Sequence, residues 1–169
     1  RVRSPSKKSA LLKLALERDP DCAAARIELA DLEFQSGNWK ACLGAYEEII
    51  QRESARWSGP QAWWTDRETR PYLRAIYGKA MTLWHLARYP VAAKTLVELV
   101  TLNPRDNQGA RFLIPMLHLL AEAPERAALA FERYAEQYPN DYPEPSFLFG
   151  WGLCYSLEGR ETEARAKYI

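Results

Sequence analysis

The chain has 169 residues, 23 Lys and Arg against 22 Asp and Glu, two His and a formal net charge of +1. That length suits one domain or one repeat array with a real core, and 47% hydrophobic against 27% charged residues excludes a disordered chain. The near-zero charge argues against a nucleic-acid binder, no run of about 18 apolar residues offers a membrane span, and no basic-plus-apolar leader opens the sequence.

Eleven Pro and eight Gly punctuate segments with helical apolar spacing. The first starts at Ser6 and stops before Pro20. The second covers residues 22–36 and is closed by Gly37; the third runs from Trp39 to about Glu53. A non-periodic stretch at about 54–70 follows, with three Trp and three Arg. The fourth segment covers 71–86, and Thr65 and Glu68 upstream have capping-box spacing. The fifth, 90–102, the seventh, 124–137, and the eighth, 145–157, all begin on Pro, whose missing N–H is harmless in a first turn. The sixth, 107–121, carries Pro115 in its interior, where proline costs about 3 kcal/mol unless the helix kinks or starts late. The ninth starts at Glu161. No stretch alternates with period two, so an all-α chain is expected.

The segments repeat in pairs. Ala92, Ala127 and Ala164 recur at spacings of 35 and 37, each followed four residues later by a large side chain: Leu96, Phe131 and Tyr168. Cys42 and Tyr46 hold the same relative places, and Pro104 and Pro139 close two units 35 residues apart. A small residue early in a second helix admits its neighbour closely, and the bulky residue one turn later fills the space beside it. The last unit is the most regular: Leu148, Trp151-Gly152, Tyr155, Gly159, Ala164 and Tyr168. This spacing and these residues resemble the tetratricopeptide repeat family, with a period of about 34. The resemblance covers almost the whole chain and implies a right-handed superhelical array of antiparallel helix pairs. About four repeats and a leading helix form a single domain over 1–169, with the aromatic and Arg-rich insertion at about 54–70. Departures from the pattern fall at Glu33, Lys79, Pro115 and His118. Residues 68–75, Leu83-Trp84 and 102–113 look like a group of bacterial tetratricopeptide proteins. Residues 19–25 also look like the suppressor of tumorigenicity 7 family. That likeness implies a scaffold without an assigned reaction.

Three widely spaced cysteines, Cys22, Cys42 and Cys154, form no CxxC pair, which points to a reducing, cytoplasmic setting without disulfides or zinc. His85 and His118 lie 33 residues apart with no acid or Cys partner near them in sequence. There is no HExxH, P-loop, GxSxG or EF-hand loop. Asp19 and Asp21, like residues 106–109, read as turn and cap chemistry. The expectation is a non-enzyme with no catalytic residue, no metal and no cofactor.

In the tetratricopeptide family the first helices line a concave face. Carried onto this chain, the inward positions are Ile27, Asp31 and Phe34; Tyr77, Met81 and Trp84; Phe112, Met116 and Leu119; Phe149, Leu153 and Ser156. Most are apolar or aromatic, as suits an apolar or amphipathic peptide or helix. Phe34, Tyr77, Met81, Trp84, Phe112 and Met116 are the expected partner-binding anchors, with Arg74 and Arg111 as orienting charges. The basic clamp of chaperone-binding members is missing: Ile27, Asp31, Gly78, Gly109 and Leu113 stand there. Three covers for the groove remain open: a foreign protein segment, the chain's own continuation, or a second copy in a homodimer. The alternative function is an accessory or regulatory domain of a larger enzyme or complex. The three tryptophans of the insertion read either as a plug over an imperfect repeat junction or as a binding loop.

Overall fold

The computed structural model describes residues 4–57, 59, 61–139 and 144–168. Among them are nine α-helices and no strand: α1 (Pro5–Arg18), α2 (Ala23–Gln35), α3 (Trp39–Ser54), α4 (Arg70–His85), α5 (Tyr89–Leu102), α6 (Ala110–Leu120), α7 (Pro124–Gln137), α8 (Pro145–Leu157) and α9 (Glu161–Tyr168). The bounds follow the sequence expectation closely except at the start of α6. Helix α6 begins at Ala110 rather than 107, because Gly109 takes a left-handed φ of 71° and Asp106 caps from further back. The two carboxylate oxygens of Asp106 accept the backbone N–H of Ala110 at 2.8 Å and of Arg111 at 2.9 Å. Pro115 thereby falls in the second turn and is buried. The capping box expected at Thr65 and Glu68 is not formed. Helix α4 starts four residues later with Thr69 at its N-cap, and the Asp66 carboxylate instead accepts the Glu68 N–H at 2.9 Å.

The four first helices α2, α4, α6 and α8 end alike. Gly37, Ala87, Glu122 and Gly159 all have left-handed φ, between 55° and 75°. In each turn two backbone N–H groups reach back to the last helical turn, as with Ala87 to Trp84 and Arg88 to Leu83. The sequence marked only the two glycines. At the other two turns an L side chain occupies a conformation that disfavours it. Ala87→Gly and Glu122→Gly are therefore each expected to raise unfolding free energy by about 0.5–1 kcal/mol, the left-handed penalty less the entropy of a freer unfolded chain. Denaturant midpoints of the single variants check this, and a lowered midpoint refutes it.

The chain divides into two compact units, Arg1–Arg88 and Tyr89–Ile169. In the first, α1 packs on α2, and α2 and α4 pack on α3. Its core holds Ile27, Ala30, Cys42, Tyr46, Ile49 and Ala75. Cys42 and Tyr46 fill the small and bulky places that the repeat requires, at 0% and 2% exposure. A polar chain ties its helices together. The Tyr46 hydroxyl donates to Asp31 at 2.7 Å, Arg74 donates to Asp31 and to Glu28, and Lys8 donates to Glu28. The hydrogen bond from Lys8, then that from Arg74, holds the Glu28 carboxyl below its ordinary range. Burial, reinforced by the Asp31 carboxylate, pushes the Tyr46 phenol far up. Lys79, a departure from the repeat pattern, is accommodated by an ion pair with Glu47 at 3.2 Å.

In the second unit α6 packs on α5 and α7, and α8 packs on α7 and α9. Its core is aromatic: Phe131, Tyr134, Phe147, Trp151 and Tyr155 surround Ala127, Ala128, Cys154 and Ala164. Phe131 meets Phe147 edge-on at 4.5 Å and stacks over Trp151 at 5.9 Å. The repeat places Ala92, Leu96, Ala127, Phe131 and Ala164 are all buried, whereas Tyr168 keeps 42% of its surface exposed.

Candidate functional site

The expected anchors fall into two sets, one on each unit. In the first unit Tyr77, Met81 and Trp84 follow one another along α4 at helical spacing, all half-buried. Phe34 of α2 lies edge-on to Trp39 at 5.2 Å and to His85 at 5.4 Å. Trp39 and His85 stack face to face at 4.1 Å with 3° between their planes. Sequence reasoning did not assign Trp39 or His85 to this cluster. The signal was available in part, since Phe34 and Trp39 flank the Gly37 turn. Ile27, expected to face inward, is instead fully buried in the core. Asp31, also expected there, is held by Tyr46 and Arg74.

In the second unit two apolar ridges run along α6 and α8. Phe112, Met116 and Leu120 form one, and Phe149, Leu153 and Leu157 the other, with exposures between 37% and 60%. Each ridge steps by four residues, the spacing that stacks side chains on one helix face. The inward set derived from sequence included Leu119 and Ser156. Leu119 packs against the core and Ser156 is half-buried, so Leu120 and Leu157 take the exposed places. The cause is helix phase: the third side chain of a ridge follows the second by four residues, not three. Gly150 brings α8 close to α6 and α7. A Cβ there would lie 3.1 Å from Phe131 Cζ and 3.9 Å from Met116 Sδ. Phe149 stacks on Tyr168 at 5.7 Å.

The two expected orienting charges are already engaged. Arg74 pairs with Glu28 at 2.8 Å and with Asp31 at 2.5 Å. Arg111 pairs with the buried carboxylate of Asp106 at 2.9 Å, and its guanidinium lies 4.4 Å over Phe112 and 4.5 Å over Tyr138. A partner's acid would have to compete with these contacts.

The described part of the insertion turns back on the flanking helices. Trp57 donates its indole N–H to the buried Glu53 at 2.9 Å, and Trp63 tilts against Tyr72 at 5.9 Å. Arg70 donates to the Trp64 carbonyl at 2.8 Å while lying 5.3 Å over its ring. Ser58 and Pro60 lie outside the described residues. These contacts hold Trp57 against α3 and Trp63 and Trp64 against α4.

The second unit also holds a cavity of about 630 Å³ on its other side, between α5 and α7 with α6 as floor. His118 lines it, and burial, with the nearby Arg126, holds its imidazole below the ordinary value. Among the described residues no group of three or more His, Cys, Asp or Glu is placed to hold a metal ion. Among the described residues no helix is long and apolar enough to cross a membrane.

The tetratricopeptide repeat family model matches residues 9–59 and 77–142. No curated protein sequence matches the chain. Solved structures share its fold at low identity. A MamA double mutant of RS-1 is 16% identical, with a TM-score of 0.73 over 98% of this chain and 82% of that one. MamA from position 41 onward of Desulfovibrio magneticus RS-1 is 16% identical, with a TM-score of 0.69 over 98% and 82%. YrrB, described as a TPR protein with an unusual peptide-binding site, is 19% identical, with a TM-score of 0.69 over 98% and 75%.

Proposed function

The chain belongs to the tetratricopeptide repeat family, and from that premise we propose that it is a cytoplasmic, non-enzymatic scaffold holding an apolar or amphipathic segment of a partner protein. Residues 1–169 act as one array, and the first helices offer the holding surface. The observation that carries this reading is the pair of exposed ridges on α6 and α8. Two such ridges side by side form a contiguous apolar strip, which a soluble protein keeps when something docks on it. Ridges at four-residue spacing accept the apolar stripe of a helix between them. Phe112 and Met116 anchor the segment there. On the first unit Tyr77, Met81 and Trp84, with Phe34 beside them, supply half-buried aromatic and thioether surface of the kind that dominates binding energy. Arg74 and Arg111 orient a partner's acid only by exchanging their internal pairs for it.

Removing the apolar strip tests the reading. Met116→Asp combined with Leu153→Asp changes only exposed positions, so the variant folds. Partner capture from an extract of the source cells is expected to fall at least tenfold, since burying each side chain is worth about 1.5–3 kcal/mol. Trp84→Ala is expected to weaken capture by a similar factor. A profile of bound proteins unchanged in both variants overturns the reading. Sedimentation of the same samples separates a foreign partner from a second copy. A wild type that self-associates beside a monomeric double variant would assign the strip to a homodimer.

A further inference from the structure

The cavity between α5 and α7 faces away from these ridges along α6 and belongs to no part of the reading above. It is a half-open groove of about 630 Å³. The walls mix apolar and polar groups: Val97 from α5 and Leu129 from α7 remain 42% and 45% exposed, Ile114 of α6 closes the floor, and Thr101, His118 and Gln137 add polar surface. The charges on its rim are unbalanced. Arg126 and Arg133 both line it, exposed on α7, and neither makes an ion pair with another described residue. They stand seven residues apart, hence on one face about 10.5 Å apart along the axis, with Leu129 between them. Arg111 also borders the cavity but is held by Asp106, and Glu136 is the one acid on the lining.

We propose that this groove is a second binding site, specific for an acidic amphipathic helix of a partner protein. Two carboxylates one heptad apart pair with Arg126 and Arg133, and the apolar side chains between them seat between Val97 and Leu129. Guanidinium groups hold carboxylates bidentately. The surplus of cationic over anionic groups on the rim selects acid over base. An apolar segment without acids would leave both arginines partly desolvated and unpaired, which disfavours it.

The test uses the full chain and a labelled helical peptide with the central sequence EAALLAAE, its uncharged QAALLAAQ and its basic KAALLAAK counterparts. Binding is read by fluorescence anisotropy. The acidic peptide is expected to bind at least tenfold more tightly than the uncharged one, with the basic one weakest. Arg126→Glu with Arg133→Glu is expected to reverse that order and favour the basic peptide. Met116→Asp with Leu153→Asp, on the other face of the unit, leaves acidic-peptide affinity unchanged. Equal affinity for acidic and uncharged peptides overturns the proposal. So does insensitivity to the arginine reversal, or absence of binding up to about 1 mM peptide, a free energy of about 4 kcal/mol. Loss of binding only in the Met116 and Leu153 variant also overturns it while leaving the first-helix reading standing. Circular dichroism of each variant verifies that the exposed substitutions leave the helices intact.

Discussion

Phe131→Ala is expected to lower the unfolding free energy by about 3–5 kcal/mol, the range for emptying a buried aromatic site. Phe131 is fully buried and sits at the centre of the second unit's core, edge-on to Phe147 and stacked on Trp151. Its ring also reaches the backbone of Gly150, where an added Cβ would stand only 3.1 Å away. Neighbours on three helices are already packed against one another, so collapse into the cavity would recover only part of the loss. Phe149→Ala provides the contrast. That ring is 56% exposed, and its removal is expected to change stability by no more than about 0.5 kcal/mol while removing part of the exposed apolar strip. Urea unfolding of the two variants beside wild type measures both. A Phe131→Ala loss below about 1.5 kcal/mol would mean that the aromatic core is not the main support of this unit.

Gly78→Ala is expected to destabilise by about 1 kcal/mol, although alanine is the better helix former. A methyl at Gly78 would lie 2.4 Å from Tyr46 Cζ and 2.6 Å from Cε1. The ring has nowhere to go: it is 2% exposed and its hydroxyl is tied to Asp31 at 2.7 Å. Overpacking of this kind costs roughly 1–3 kcal/mol, occasionally more, and outweighs the gain in propensity of about 1 kcal/mol. Gly44→Ala, within α3, is the opposite case. Nothing lies within 4 Å of its added Cβ, so the same substitution is expected to stabilise by about 0.5–1 kcal/mol. Tyr46→Leu should restore much of the Gly78→Ala loss, because the two sites share one volume and their effects are not additive. Equal and additive effects at Gly44 and Gly78 would show that the close approach is absent. The rule that a small residue admits a bulky neighbour thus operates here between Tyr46 of α3 and Gly78 of α4.

Much of the fold was legible because helices are set by local rules. Pro at first turns and periodic apolar residues located every helix, with most ends within a residue or two. The repeated small and bulky pairs identified the family that the family model then matched. The exceptions are instructive. The start of α6 depended on which acid capped it, and Asp106 reaches Ala110 and Arg111 only because the intervening turn includes left-handed Asp106 and Gly109. The capping box at Thr65 and Glu68 had the right spacing, but Asp66 engages the Glu68 N–H and α4 begins at Arg70. Short polar side chains offer several equivalent local bonds, and spacing alone does not choose among them.

The exposed apolar faces were legible in outline only. Phe112, Met116, Phe149 and Leu153, expected on the concave side, are exposed, but Leu119 was chosen where Leu120 is exposed, and Ile27 where the core is. One residue in a helix rotates a side chain by about 100°, so a template one step out of phase exchanges core for surface. The ion pairs of Arg74 with Glu28 and Asp31 join residues more than 40 positions apart in the chain. The stack of Trp39 on His85 likewise depends on two helices meeting. The groove between α5 and α7 exists only because α6 lies beneath both.

The sequence by itself therefore determined what is local and periodic: an all-helical chain, its nine segments, its repeat and its family, with near-neutral charge and an aromatic excess. Tertiary structure decided how that aromatic surface is divided. It put Phe131, Trp151 and Tyr155 inside, turned Phe149, Leu153 and Leu157 to solvent, closed Arg74 and Arg111 into internal pairs, and left Arg126 and Arg133 on an open groove. The physical reason is that hydrophobicity says a side chain favours burial without saying against what, whereas exposure depends on which neighbouring helix covers each face.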